Sequence, residues 1–245
     1  ERQDKHVSAA PSAGGGTVPH DFVVTTGEAS MFDPPLSMLG GAAAAASGAL
    51  GPYLCVRAIG ATSETEWSTS VNVVAQKAQA TFISLRGKTS DTAARKRFEL
   101  GLRVEAGRGK FWRTSIITFT SRFVLSNRLQ RTLEVMQASS ETPPLRILSG
   151  TTQTFHWPRH DCPLALRIRF TPLDAWSGDF DPASLGTTPL KLQMDDETYI
   201  VQARIVEMAS GANLLCAFEP EDPAWPPYRI ENRTSHKIRC KQMRG

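Results

Sequence analysis

The chain has 245 residues, 40% of them hydrophobic and 21% charged, and a formal net charge of +4. This is the composition of an ordinary globular protein, and no uninterrupted apolar run approaches the roughly 18 residues of a helix that spans a bilayer. Apart from Arg95-Lys96-Arg97 and the last ten residues, Lys and Arg are scattered among acids, not interleaved with aromatics on a basic face, so nucleic acid is not an expected partner.

Residues 1–20 contain few large apolar groups and a Gly14-Gly15-Gly16 run. Such a stretch does not repay the entropy of ordering and is expected as a flexible tail. It also lacks the basic-then-apolar layout of a secretory signal, which makes the cytosol the expected compartment. The Ala-rich segment Gly40–Gly51 is short, flanked by glycines and without an apolar stripe, and reads as a loop between strands. Four cysteines, at 55, 162, 216 and 240, match neither a CxxC zinc pattern nor a dense disulfide framework. They are expected to be reduced and mostly buried.

Further along, apolar residues recur with period two in Thr81–Leu85, Phe98–Val104, Leu164–Phe170 and Tyr199–Val206. Alternation places one face in a core and the other in water, the pattern of half-buried strands. Turn formers punctuate the runs at Ala106–Gly109, Pro143-Pro144, Ser177-Gly178, Pro189, Ser210-Gly211 and Pro226-Pro227. Short strands with regular punctuation predict an all-β sandwich or barrel, and no segment keeps helical periodicity over three turns.

A self-match sets the expected architecture. Arg122–Gln137 aligns with Pro227–Gln242 without a gap: an aromatic four before the asparagine, an aliphatic two before, an arginine one after, an aliphatic six after and a glutamine ten after. The asparagines are Asn127 and Asn232. A second match, Trp67-Ser68 with Trp176-Ser177, follows the Arg-bearing runs Leu54–Arg57 and Leu166–Arg169 at nearly the same offset. The expected organisation is a tail over 1–20 and two tandem β-sandwich-like repeats of about 105 residues, 21–142 and 143–245. Each asparagine has two readings: a tight hairpin or bulge stabilised by its own amide, or an amide held at an open sheet edge to grip a visiting main chain. Trp67 and Trp176 are expected to close the ends of the sandwich cores.

The segments SETEWS (63–68), Lys110–Leu129, FHWPRH (155–160), WSGDF (176–180) and PYRIENR (227–233) resemble the adaptor-binding domain of the vacuolar protein sorting-associated protein 13 family, also called the SHORT-ROOT-binding-like domain. The likeness covers about residues 31–245; the Ala-rich segment and Ser90–Arg95 have no evident family counterpart. It implies a series of β-sandwich repeats, each with a characteristic asparagine, of which this chain is similar to the last two. It implies too that the module belongs to a large bridge-like lipid transport protein at organelle contact sites, recruited to membranes indirectly, through adaptors bearing a short Pro-x-Pro motif. Asn127 and Asn232 match the repeat asparagines and carry the implied peptide-binding role, with Arg128 and Arg233 as secondary candidates. A Pro-x-Pro segment is extended and pre-ordered, so its docking costs little conformational entropy.

Catalytic readings are set aside. His156, His160, Asp161 and Cys162 form the densest cluster of chemistry-bearing side chains, but a second ligand set is missing and Pro158 prevents a helical turn between the histidines, so a structural turn is expected. There is no nucleophile elbow, phosphate loop or zincin motif. The expectation is a non-catalytic module without cofactor or metal, monomeric in isolation, with adaptors as its partners; a structural spacer, or a sandwich binding lipid headgroups or carbohydrate, is the alternative.

Overall fold

The computed structural model describes residues 53–59, 65–73, 81–87, 96–170, 175–194, 197–209, 211–222 and 230–240. The expected tail, the Ala-rich segment, the 90–95 loop, Pro226-Pro227 and Gln242 lie outside these residues. The chain divides into units Glu1–Tyr53 and Leu54–Gly245, and apart from Tyr53 every strand below belongs to the second.

Among the described residues the fold is all β, with a single 3-10 turn at Gly109–Phe111. The strands are β1 (Tyr53–Leu54), β2 (Val71–Asn72), β3 (Thr81–Arg86), β4 (Arg97–Ala106), β5 (Ser115–Ser121), β6 (Phe123–Asn127), β7 (Leu133–Gln137), β8 (Leu145–Ile147), β9 (Thr152–Phe155), β10 (Leu166–Phe170), β11 (Gly186–Met194), β12 (Glu197–Glu207) and β13 (Leu214–Pro220). All four alternating runs fall on strands: β3, β4, β10 and β12.

β6 to β13 build a sandwich. A five-stranded sheet, in the order β11-β12-β13-β6-β9, and a three-stranded sheet, β10-β7-β8, share one core. Leu125, Leu192 and Phe218 from the first sheet pack with Val135, Ile147 and Ile168 from the second. In β10 the alternation works as the sequence implies: Leu166, Ile168 and Phe170 are buried, with Arg167 and Arg169 between them on the other face. The first and last strands of this unit, β6 and β13, lie side by side and parallel, while the other pairs in the sheet are antiparallel. The division expected at residues 142 and 143 falls between β7 and β8, inside this core.

Pro189 corrects one expectation. It lies within β11, opposite Gln202, not in a turn. β11 is an edge strand, where a residue without an N–H is tolerated because half of the main-chain donors face away from the ladder.

A smaller assembly precedes the sandwich. β1 pairs with β2, and β3-β4-β5 form an antiparallel sheet over Val73, Ile83, Leu85, Leu102 and Val104. Only Arg122 separates β5 from β6, so one extended run of chain leads from this sheet into the sandwich. The joint is polar and closely fitted. Arg97 and Trp157 exchange main-chain hydrogen bonds of 2.9 and 3.0 Å. The buried Glu99 carboxylate is paired with Arg97 at 2.7 Å and Arg122 at 3.2 Å, which offsets the cost of burying its charge. Asn213, just before β13, donates to Thr120 Oγ1 at 2.7 Å and Ser121 O at 2.6 Å. Gly101 of β4 lies so near Ala212 that an added Cβ would stand 2.9 Å from the alanine Cβ.

Candidate functional site

Asn127 ends β6 and is fully buried. Its Oδ1 accepts from Leu129 N–H at 3.0 Å, and its Nδ2 donates to Arg131 O at 2.8 Å and to Ile147 O, at the end of β8, at 2.9 Å. Its main chain is engaged as well, with the N–H donating to Thr151 O and the carbonyl accepting from Gly150 N–H. The connection it forms is not the expected hairpin. β6 is flanked by β13 and β9, so the chain crosses to the other sheet, where β7 lies between β10 and β8. The amide wraps this crossing and pins it to β8.

Asn232 makes the same local pattern in an exposed setting. Its Oδ1 accepts from Thr234 N–H at 3.0 Å and from Thr234 Oγ1 at 2.8 Å, and its Nδ2 donates to His236 O at 2.7 Å. No counterpart of the Ile147 bond is present, so one amide hydrogen has no acceptor among the described residues. The apolar positions flanking the loop are uncovered too: Ile230 is 75% and Ile238 57% exposed, whereas Leu125 and Leu133, which align with them, are completely buried.

The arginines after the asparagines behave differently. Arg128 reaches across to Glu219 of β13, and Arg233 folds back onto Glu231 with contacts of 3.0 and 2.6 Å. All four candidates therefore sit in two loops of one local design, of which the second is the open one among the described residues.

The Trp-Ser matches also share a geometry. Ser68 Oγ accepts from Val56 N–H at 2.9 Å while Ser68 N–H donates to Val56 O at 2.8 Å; Ser177 does the same with Ile168 at 3.0 and 2.8 Å. Arg57 lies over Trp67 at 4.7 Å and Arg169 over Trp176 at 4.4 Å. Neither indole belongs to a core cluster, which corrects the expected core closure: Trp67 is exposed and Trp176 half-buried, each with a guanidinium over its ring, a contact worth about 0.5–1 kcal/mol at an exposed site such as Trp67. The buried aromatic of the second segment is Phe180 instead.

Sequence reading passed over three side chains that organise the fold. Trp157, within the supposed turn, is a core residue packed edge-on against Phe123 and Phe155; the period-two spacing of Phe155 and Trp157 was its signal. Gln137, the glutamine ten after Asn127, is buried and holds the following turn, accepting from Arg159 N–H at 3.0 Å and donating to Arg159 O and Pro163 O at 2.8 and 3.0 Å. Glu99 had no signal, because nothing local separates a buried acid on a strand from an exposed one.

Around the histidines, Asp161 is tied to Arg159. His156 lies against Phe98, its Nε2 3.2 Å from Ser121 Oγ, and burial, with the nearby Lys96 charge, holds its pKa below the usual value. Among the described residues no three His, Cys, Asp or Glu side chains gather as a metal site would require, and no helix is long and apolar enough to cross a membrane. The cysteines are free, but only Cys216 is buried, its thiol pushed up to about 12 by desolvation; Cys55 and Cys240 are exposed. The expectation of mostly buried thiols therefore fails, Cys162 being only half-buried as well.

Residues 55–244 match the family described as vacuolar-sorting associated protein 13, adaptor binding domain. The chain belongs to this family. Among curated relatives, it is 27% identical over 145 residues to the intermembrane lipid transfer protein VPS13D of Homo sapiens, covering 55% of this chain and 3% of that protein. It is 28% identical over 160 residues to vps13B of Dictyostelium discoideum, covering 60% and 3%. With VPS13 of Chaetomium thermophilum the identity is 23% over 146 residues, covering 59% and 4%. The match thus spans only a few per cent of the length of these relatives.

Proposed function

We propose that the chain is a non-catalytic docking module that binds short Pro-x-Pro motifs in adaptor proteins, and that it thereby brings a lipid transfer protein to the cytoplasmic face of organelle contact sites. Family membership supports the adaptor-binding part. One observation carries the rest: the asparagine loop occurs twice, and at Asn232 alone an amide hydrogen lacks an acceptor among the described residues while Ile230 beside it is exposed. A main-chain carbonyl of an extended peptide would take that hydrogen, as Ile147 O takes it at Asn127, and a proline of the motif would cover Ile230. Proline lacks an N–H, so hydrogen bonds from such a peptide to the loop come from its carbonyls and from the residues between the prolines, which leaves the proline rings free for apolar contact. Asn127 then acts by positioning, holding the β6–β7 crossing with Arg128 beside it on Glu219, and Arg233 flanks the docked segment as a polar contact.

Immobilised Pro-x-Pro peptides should retain the chain with affinity on the order of micromolar. Retention should fall when Asn232 is changed to Ala and when the peptide prolines are changed to alanine. Equal retention by both peptides would favour the spacer reading, and flotation of the chain with anionic vesicles in the absence of any peptide would favour the headgroup reading.

A further inference from the structure

Among the described residues β3 is an edge strand whose outer side is open next to the joint between the two assemblies. Gly87, just past β3, donates its N–H inward to Lys96 O at 2.8 Å. By antiparallel alternation, Phe82, Ser84 and Arg86 then turn their main-chain groups outward. The Arg86 carbonyl is used, accepting from Glu66 N–H at 2.7 Å. Beyond that point the 67–72 segment parts from β3, and the outward groups of Phe82 and Ser84 have no main-chain partner among the described residues. The gap is a groove of about 530 Å³ between Trp67–Asn72 and β3. A second space of about 240 Å³ shares Thr81 and Phe82 with it and runs on to Arg122 and Leu185 of the sandwich side.

Trp67, Phe82 and Leu185 along this course are all exposed. The Phe82 ring is held in place by the Arg122 guanidinium, 3.4 Å from its centroid. Arg86, on the same face of β3 as Phe82, has no acidic partner among the described residues. The edge of the sandwich sheet, by contrast, is interrupted by Pro189 in β11, a feature that blunts strand pairing. β3 carries no such guard.

We infer that the outer edge of β3 is a second docking site, separate from Asn232, that accepts an extended segment of another protein as an added strand. The exposed main-chain groups of Phe82 and Ser84 define the guest as polypeptide, since two N–H and two C=O groups in strand geometry are matched by another main chain. The apolar course from Trp67 through Phe82 to Leu185 selects apolar side chains at alternate positions of the guest. Arg86 selects an acidic residue among them.

The probe is a short fluorescein-labelled peptide of alternating leucine and threonine with a central aspartate, titrated into the full chain and followed by anisotropy. It should bind, and Ser84→Pro should weaken it about tenfold or more, because proline removes an outward N–H without taking a bond from the β3–β4 ladder. Asn232→Ala should leave this affinity unchanged, which separates failure here from failure of the Pro-x-Pro reading. Amide exchange of Phe82 and Ser84 in the unaltered chain gives a readout independent of how Ser84→Pro folds: both should exchange fast alone and slow with peptide. Absence of binding at millimolar peptide, unchanged affinity in Ser84→Pro, or amides already protected in the free chain would each overturn the inference.

Discussion

Asn127 and Asn232, 105 residues apart, hold the same loop: each side-chain oxygen accepts from the N–H two residues on, and each amide nitrogen donates to the carbonyl four residues on. The difference lies in the surroundings. Asn127 is enclosed by β8 and its amide is saturated, whereas Asn232 is exposed and one of its amide hydrogens has no acceptor among the described residues. One motif thus serves as an internal clamp in one place and remains available in the other.

This difference sets a contrast in stability. Asn127→Ala leaves the Leu129 N–H and the Arg131 and Ile147 carbonyls without their partner in a buried setting, and should cost about 3 kcal/mol. Asn232→Ala, at an exposed loop, should change stability by less than about 0.5 kcal/mol. Urea unfolding of both variants checks the pair; equal losses would contradict the assigned roles.

The asparagine loops show how far the sequence was legible. The repeated spacing of Asn, Arg, aliphatic and Gln marks a repeated local geometry, because side-chain bonds to residues two and four along depend only on local sequence. What it could not show is which copy is enclosed. That depends on Ile147, 20 residues away on another strand, and equally on whether a strand crosses to the other sheet. Strand existence was readable from alternation, as in β10 and β12, but Pro189 misled because an edge position is a property of the sheet order. Trp67 and Trp176 misled because an indole stabilised by an overlying arginine has the same local signature as one in a core.

The joint between the smaller sheet and the sandwich depends on close approach at Gly101. Gly101→Ala would place a Cβ 2.9 Å from Ala212 Cβ and 3.0 Å from Ala212 O, and should destabilise by about 1–3 kcal/mol. Combining it with Ala212→Gly should recover part of the loss, since the carbonyl remains. Thermal unfolding of the single and double variants measures this, and simple additivity would mean the two positions do not press on each other.

His156 gives the same joint a pH dependence. Its pKa is lowered in the fold, chiefly by burial, from the ordinary 6.5, so the unfolded chain binds the proton more readily. The stability contributed by neutral His156 is therefore present above about pH 6.5 and is lost as pH falls through 6.5 towards the lowered value. Unfolding free energy should drop more between pH 7 and 5 in the unaltered chain than in His156→Gln, and parallel profiles would refute it.

Cys216 offers a probe of the sandwich. Buried on β13 with its thiol raised to about 12, it should resist a thiol reagent at pH 8 under native conditions, while Cys55 and Cys240 react at once. Mass spectrometry of the labelled chain reads this directly; prompt modification of Cys216 would show that β13 opens readily.

The central claim is that the spare amide hydrogen of Asn232 receives a carbonyl of a docked peptide. The most direct measurement is a titration of a Pro-x-Pro peptide into the isotopically labelled chain, following the side-chain amide resonances of both asparagines. The signals of Asn232 should shift with saturating peptide and those of Asn127 should stay in place, with no change on adding the proline-to-alanine peptide. An unmoved Asn232 at saturation, or identical responses to the two peptides, would contradict the account.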